Sequence, residues 1–140
     1  MKRFSVTRAI KAPPASVWSV LTDGAGWLTW DSGIASFVGR IAPGEKLKVG
    51  VKANPGRAFP VTVTTFEAPR RMVWTGGMPL GLFKGVRTYT LTPTSTGTDF
   101  SMEESYSGLM APLITRSIPD LTGSFDQFAT GLGQRVEKGS

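Results

Sequence analysis

The chain has neither cysteine nor histidine among its 140 residues. Without cysteine there is no disulfide framework, no thiolate nucleophile and no thiolate metal site. Without histidine, the usual proton carrier near neutral pH and the commonest zinc ligand are missing. Serine–histidine and cysteine–histidine catalysis are therefore excluded. No apolar run approaches the roughly 18 residues of a membrane-spanning helix, which argues against integral membrane association. The basic start Met1-Lys2-Arg3-Phe4-Ser5-Val6 leads into no apolar stretch of the signal-peptide kind, so the cytoplasm is the expected location. The patterns GxSxG, GxxxxGKS/T and GxGxxG are absent as well. Chemistry would have to come from carboxylates, Lys, Arg, Tyr or backbone groups. No metal, no cofactor and no catalytic set is implied.

What is present is an ordinary globular composition, 40% hydrophobic and 19% charged, enough for the core of one domain spanning residues 1–140. Sixteen Lys and Arg against ten Asp and Glu leave a net charge of +6. The basic residues are scattered, and only Lys2-Arg3 and Arg70-Arg71 adjoin. This reads as a solvated basic surface with weak attraction to acidic partners, not as a nucleic-acid site.

Phe4, Val6 and Ile10 alternate as on a strand, which Pro13-Pro14 ends while opening a helix with Val17, Trp18 and Leu21 on its apolar face. Asp23-Gly24-Ala25-Gly26 breaks that helix before a short helical piece carrying Trp27 and Trp30. Strands are then expected at 34–41, 46–52, 58–67, 71–76, 83–92 and 98–107, separated by turn chemistry such as Ala42-Pro43-Gly44-Glu45, Asn54-Pro55-Gly56 and Thr94-Ser95-Thr96-Gly97. Short separators favour antiparallel hairpins. Near the end, Ile118, Leu121, Phe125, Phe128, Leu132 and Val136 form one helical stripe. Pro119 should start this helix or kink it away from a turn around Leu113-Ile114. Gly123, Gly131 and Gly133 weaken it in isolation, so it must draw its stability from packing on the sheet. The order β-α-α-β6-α gives an α+β fold, an antiparallel sheet of about seven strands curling around a long C-terminal helix.

The turn at Thr94–Gly97 allows a register argument. Pairing Leu91 with Phe100 sets Tyr89 opposite Met102 and Arg87 opposite Glu104. Period two then gathers Arg87, Tyr89, Leu91, Phe100, Met102, Glu104 and Tyr106 on one face. Glu103 points the other way, so Glu103 and Glu104 cannot act on one substrate. Arg87 with Glu104 would either hold the polar end of a ligand or form a structural ion pair. Trp74 shares a face with Met72, and Trp18 reads as core. Trp27 and Trp30, on a Gly-flanked segment, suit either a pocket lid or the core. The loop Gly76–Phe83 sets apolar side chains on a flexible backbone, as a gate, a core cap or a docking loop.

Val6-Thr7-Arg8-Ala9-Ile10-Lys11-Ala12-Pro13-Pro14-Ala15-Ser16-Val17-Trp18 resembles the N-terminal signature of the START-like, Bet v 1-like superfamily. It is most similar to that of the polyketide cyclase/dehydrase-like (SRPBCC) group. Trp27-Leu28-Thr29-Trp30-Asp31, Gly39-Arg40-Ile41-Ala42-Pro43-Gly44, Arg70-Arg71-Met72-Val73-Trp74, Gly97-Thr98-Asp99-Phe100 and the closing helix extend the match over nearly the whole chain. The resemblance implies a helix-grip fold, with two short helices after the first strand closing one end. It also implies an apolar cavity for a lipid, polyketide or other hydrophobic small molecule. It supplies no universal catalytic triad. The candidate ligand-binding residues are Trp30, Trp74, Arg87, Tyr89, Met102, Glu104, Tyr106, Phe125 and Phe128. The alternative is a cyclase- or dehydratase-type enzyme with Glu104 or Tyr89 in acid/base roles. A third reading is an interaction protein whose loop Met78–Phe83 docks a partner.

Overall fold

In the computed structural model, which describes residues 3–52, 56, 58–117 and 120–139, the first strand, β1, is Arg3–Ile10. Phe4 and Ile10 are buried on its inner side. Pro14 then occupies the first turn of α1 (Pro14–Leu21), where its missing N–H costs nothing. Val17, Trp18 and Leu21 form the buried face of α1. A single 3-10 turn, Ala25–Thr29, carries Trp27, and Trp30 follows it in extended conformation.

The sheet continues with β2 (Ile34–Val38), β3 (Lys46–Val51), β4 (Ala58–Glu67), β5 (Arg71–Met78), β6 (Phe83–Thr94) and β7 (Gly97–Ser107). All seven strands pair antiparallel, in the spatial order β1-β7-β6-β5-β4-β3-β2. Register shifts between Ile34 and Ser36, and between Val63 and Thr65, add the local twist and bend that curl a sheet. A short helix α2 (Ala111–Ile114), a 3-10 turn at Thr115–Ser117 and the long α3 (Thr122–Gly139) complete the chain. This is the expected helix-grip fold, with α3 packed along β1 and against α1.

Several boundaries differ from the sequence reading. The second strand stops at Val38 and not at Ile41, because Gly39 takes φ +108 with Lys46 and Leu47 pressed against it. Ile41 is buried nonetheless. Strands β5 and β6 run further than expected, to Met78 and Thr94, which shortens the apolar loop to Pro79–Leu82. Ile118, Pro119 and the turn residues Asn54-Pro55 lie outside the described residues. Leu121 falls just before α3 and is only half-buried against the core, while Phe125, Phe128, Leu132 and Val136 carry the expected stripe, each at most 4% exposed. The helix tolerates two of its glycines for a reason the stripe does not reveal. A Cβ on Gly131 would stand 2.2 Å from the Asp31 carbonyl oxygen, and one on Gly133 would stand 2.8 Å from Arg8 Nε. Missing side chains at these positions let α3 settle onto β1 and the loop after Trp30.

Candidate functional site

The inner face of β5, β6 and β7 is a grid fixed by register. One row crosses the strands as Trp74, Arg87 and Glu104 and continues to Phe4 on β1. The next is Met72, Tyr89, Met102 and Val6. On the other side of the Trp74–Arg87–Glu104 row lie Gly76, Gly85 and Tyr106. The pairings of Leu91 with Phe100, Tyr89 with Met102 and Arg87 with Glu104 are those the turn at Thr94–Gly97 predicts. Glu103 faces outward to an ion pair with Arg3 at 3.4 Å.

Polar chemistry concentrates in the middle row. Arg87 and Glu104 meet side-on, with Nε donating to Oε1 at 3.0 Å and Nη2 donating to Oε2 at 3.2 Å, the stronger two-point form of this ion pair. The Tyr106 hydroxyl donates to the same Glu104 Oε2. Phe83 stacks on Tyr106 with ring centroids 5.8 Å apart, and the Arg87 guanidinium lies 5.0 Å from the centre of the Phe125 ring. Solvent still reaches the pair, since the side chains are 18% and 16% exposed, while Tyr89 beside them is fully buried.

These surroundings set the protonation states. Burial alone would raise the Glu104 carboxyl, but the charge and hydrogen bonds of Arg87, with help from Tyr106, outweigh it and hold the carboxyl below its ordinary value. Burial likewise opposes the charge on Arg87, and Glu104 reverses that effect and raises it. Burial pushes the Tyr89 phenol up to about 12, with Arg87 pulling partly against the rise. Burial and the Glu104 charge raise Tyr106 as well. At neutral pH, then, Glu104 is a pinned carboxylate and both tyrosines keep their protons. The group can donate hydrogen bonds and hold charge. It has no member poised near neutrality to move a proton.

Two buried donors, one in this polar row and one in the next, lack a full hydrogen bond. Trp74 Nε1 and Tyr89 Oη are enclosed and make no hydrogen bond of full geometry, although their rings lie 5.0 Å apart. Arg87 bears on the Tyr89 hydroxyl as a charge and as a weak hydrogen bond, short of full geometry. Leaving such a donor unpaired costs about 1–3 kcal/mol, so two together mark this place.

Eight of the nine candidate residues come to the interior between the sheet and α3, with Trp30 half-buried at its rim, in two groups. Arg87, Glu104, Tyr106 and Phe125 make the polar end. Trp74, Tyr89, Phe128 and Trp30 make an aromatic end, with Met102 beneath Tyr89. At the centre of the aromatic end is Trp27, which the candidate set omits. It is fully buried, stacked on Trp74 at 5.6 Å and 15° and edge-on to Phe128 at 4.8 Å. Its Nε1 donates to the Leu21 carbonyl at 3.1 Å. The indole is thus part of the core and plugs the α1 end of the interior. Trp30, half-buried, packs on Phe128 from outside at 5.4 Å. Trp18 is core, as expected.

Two concavities open elsewhere on the surface. One, of about 530 Å³, is bounded by Lys46, Pro60, Val61, Met78, Pro79 and Lys84 among others. The second, of about 420 Å³, lies between Lys11–Pro14 and Pro93–Gly97. Neither is lined by any of the nine candidate residues. Among the described residues no group of three or more carboxylates is placed to hold a metal ion, and no helix is long and apolar enough to cross a membrane.

Solved structures share this architecture. Protein MLL2253 from Mesorhizobium loti is 24% identical with a TM-score of 0.77, and the match covers 99% of each chain. The protein jhp0584 from Helicobacter pylori is 14% identical with a TM-score of 0.78, covering 96% of this chain and 88% of that one. DynU16, a protein of the dynemicin biosynthetic locus, is 19% identical with a TM-score of 0.71, and this chain spans 49% of its length. These likenesses establish the fold. No curated protein matches the sequence. The sequence model described as polyketide cyclase / dehydrase and lipid transport matches residues 1–137, and the chain belongs to that family.

Proposed function

We propose that the protein binds a hydrophobic small molecule, a lipid, polyketide or aromatic compound, between the sheet and α3, with an uncharged oxygen of the ligand turned toward Trp74 and Tyr89. The observation that carries this reading is the pair of buried donors, Trp74 Nε1 and Tyr89 Oη, to which the protein itself offers no partner at full hydrogen-bond geometry. An acceptor supplied by a ligand removes that cost, and the aromatic walls suit an apolar body. The cation at this end, Arg87, is already neutralised by Glu104. A ligand carboxylate would bring in an uncompensated charge, so a carbonyl or hydroxyl oxygen fits better. The family's description, which joins polyketide chemistry to lipid transport, agrees with a ligand of this kind. Binding is preferred over acid/base catalysis by Glu104 or Tyr89 because both are held far from neutrality in the wrong sense for a base.

The test is a thermal-shift screen of fatty acids, sterols, flavonoids and aromatic polyketides, followed by titration of any hit. A ligand at 100 times its Kd adds about 2.7 kcal/mol of stability. Removing one donor, as Tyr89→Phe or Trp74→Phe, should weaken a carbonyl-bearing ligand about tenfold and leave its hydrocarbon analogue unaffected. A flat response across soluble members of the panel would remove the binding reading. Equal affinity of wild type and both variants would remove the role of the donors.

A further inference from the structure

The end of the molecule formed by the β5–β6 turn exposes apolar side chains that nothing in the fold covers. Leu80 is 92% exposed, Leu109 84%, Leu113 62% and Met78 46%. Among the described residues these are four of the seven large hydrophobic side chains left in solvent, the others being Leu28, Val38 and Phe59. They do not belong to independent loops. Leu109 N–H donates to the Gly81 carbonyl at 3.1 Å and Met110 N–H to that of Leu82 at 2.7 Å, which binds the β5–β6 turn to the segment leading into α2. Leu80 has φ +62, a left-handed conformation that a bulky residue rarely adopts, and this backbone directs its side chain outward. Exposed apolar clusters of this kind mark interaction surfaces.

The segments that carry the cluster have basic but no acidic residues, the nearest carboxylates in sequence being Glu67, Asp99, Glu104 and Asp120. Residues 68–98 and 105–117 contain no Asp or Glu. Lys46 and Lys84 line the 530 Å³ concavity together with Met78, Pro79 and Gly81, and exposed Arg116 follows α2. An apolar tip beside a basic hollow, on a chain of net charge +6, complements a surface whose outer layer is anionic and whose interior is apolar.

We infer that this end of the protein docks on anionic lipid membranes, with Leu80, Leu109 and Leu113 entering the acyl boundary and Lys46 and Lys84 meeting headgroup phosphates. The inference does not depend on what, if anything, occupies the interior.

Co-sedimentation with vesicles tests it, comparing pure phosphatidylcholine with phosphatidylcholine containing about 30 mol% phosphatidylglycerol. The wild-type chain should partition onto the anionic vesicles and be released by salt. K46Q and K84Q should each weaken that partition about fivefold. L80N/L109N should weaken it at least about tenfold with an unchanged melting temperature, since both side chains are in solvent and asparagine accepts the left-handed backbone at position 80. If that double variant melts early, L109D/L113D, which leaves the turn intact, takes its place in the comparison. Absence of partition onto anionic vesicles, or leucine variants that bind like wild type, would overturn the proposal. So would leucine variants that change only self-association in size-exclusion chromatography, which would assign the tip to a second copy of the chain.

Discussion

Arg87 and Glu104 lie opposite each other on β6 and β7 and share two hydrogen bonds of 3.0 and 3.2 Å, inside a wall of Phe4, Phe83, Tyr106 and Phe125. A pair held this way is coupled: each member is tolerable in the interior because of the other. Glu104→Gln leaves the guanidinium without its counter-charge. Breaking a buried pair costs about 3–5 kcal/mol, and the residual exposure of this one favours the lower end, about 3 kcal/mol. For a chain of this size that is a fall of roughly 10 °C in melting temperature. The double change Arg87→Met with Glu104→Leu, which removes both charges, should recover most of the loss. Thermal melts of wild type and the two variants provide the check, and a double variant no better than Glu104→Gln would contradict the coupling.

The same environment predicts how stability responds to acid. The Glu104 carboxyl is held below its ordinary value of 4.5 in the folded chain, so the unfolded chain takes up a proton first as pH falls. The contribution of Glu104 is therefore complete above about 4.5 and is lost as pH descends through the depressed folded value. Denaturant midpoints between pH 7 and 3 should fall more steeply for wild type than for Glu104→Gln. Parallel curves would show that other carboxylates govern the acid limb.

At the alkaline end the sign is opposite. Tyr89 is raised from 10.0 to about 12, so the folded chain keeps a proton that the unfolded chain gives up. Its contribution is complete below pH 10 and is lost between 10 and about 12. The chain has only two tyrosines, and the second, Tyr106, is raised too. Ultraviolet titration of the native protein should then show almost no tyrosinate at pH 10.5, with both residues ionising on addition of denaturant. A native tyrosinate signal near pH 10 would mean that solvent reaches one of the phenols freely.

Much of this site is legible in the sequence because a hairpin is a local object. Once the turn at Ser95-Thr96 is recognised, one pairing fixes every other, and period two assigns Arg87, Tyr89, Glu104 and Tyr106 to the interior. The stripe of Phe125 and Phe128 follows from helical period in the same way. Trp27 escapes such reasoning. Its burial depends on how a five-residue 3-10 turn folds back over the sheet, with Ser32 Oγ donating to its carbonyl and Gln127 on α3 donating to Asp31. The glycines of α3 escape it too, because the atoms they make room for belong to Asp31 and Arg8, about a hundred residues earlier. The unpaired state of Trp74 Nε1 and Tyr89 Oη is invisible for a simpler reason: composition lists donors, and only coordinates show which find partners.

Trp27 should behave as the central piece of the aromatic core. Truncation to alanine removes an indole packed against Trp74, Phe37, Tyr89 and Phe128 and should cost about 3–5 kcal/mol. The hole left behind is lined by aromatic rings and by the Leu21 carbonyl that accepts the Trp27 Nε1 proton. Free indole should therefore bind the Trp27→Ala variant and restore part of its melting temperature, with little effect on wild type. A variant that melts within 1–2 °C of wild type, about 0.5 kcal/mol, would place Trp27 outside the core.

The three glycines of α3 offer a contrast that separates helix propensity from packing. Replacing a helical glycine by alanine gains up to about 1 kcal/mol when the new methyl meets nothing. That condition holds at Gly123, where nothing lies within 4 Å of the added Cβ, so Gly123→Ala should raise the melting temperature. At Gly133 the methyl would meet Arg8 Nε at 2.8 Å. That atom belongs to a flexible side chain able to move, but moving it disturbs a buried nitrogen. Gain and loss should nearly cancel. At Gly131 the obstacle is the backbone carbonyl of Asp31 at 2.2 Å, which cannot yield without shifting the loop after Trp30. Overpacking of this kind costs about 1–3 kcal/mol, which exceeds the propensity gain. Chemical denaturation should therefore rank the chains Gly123→Ala, wild type with Gly133→Ala, then Gly131→Ala. A Gly131→Ala variant more stable than wild type would mean that α3 does not approach the Trp30–Asp31 loop as closely as described.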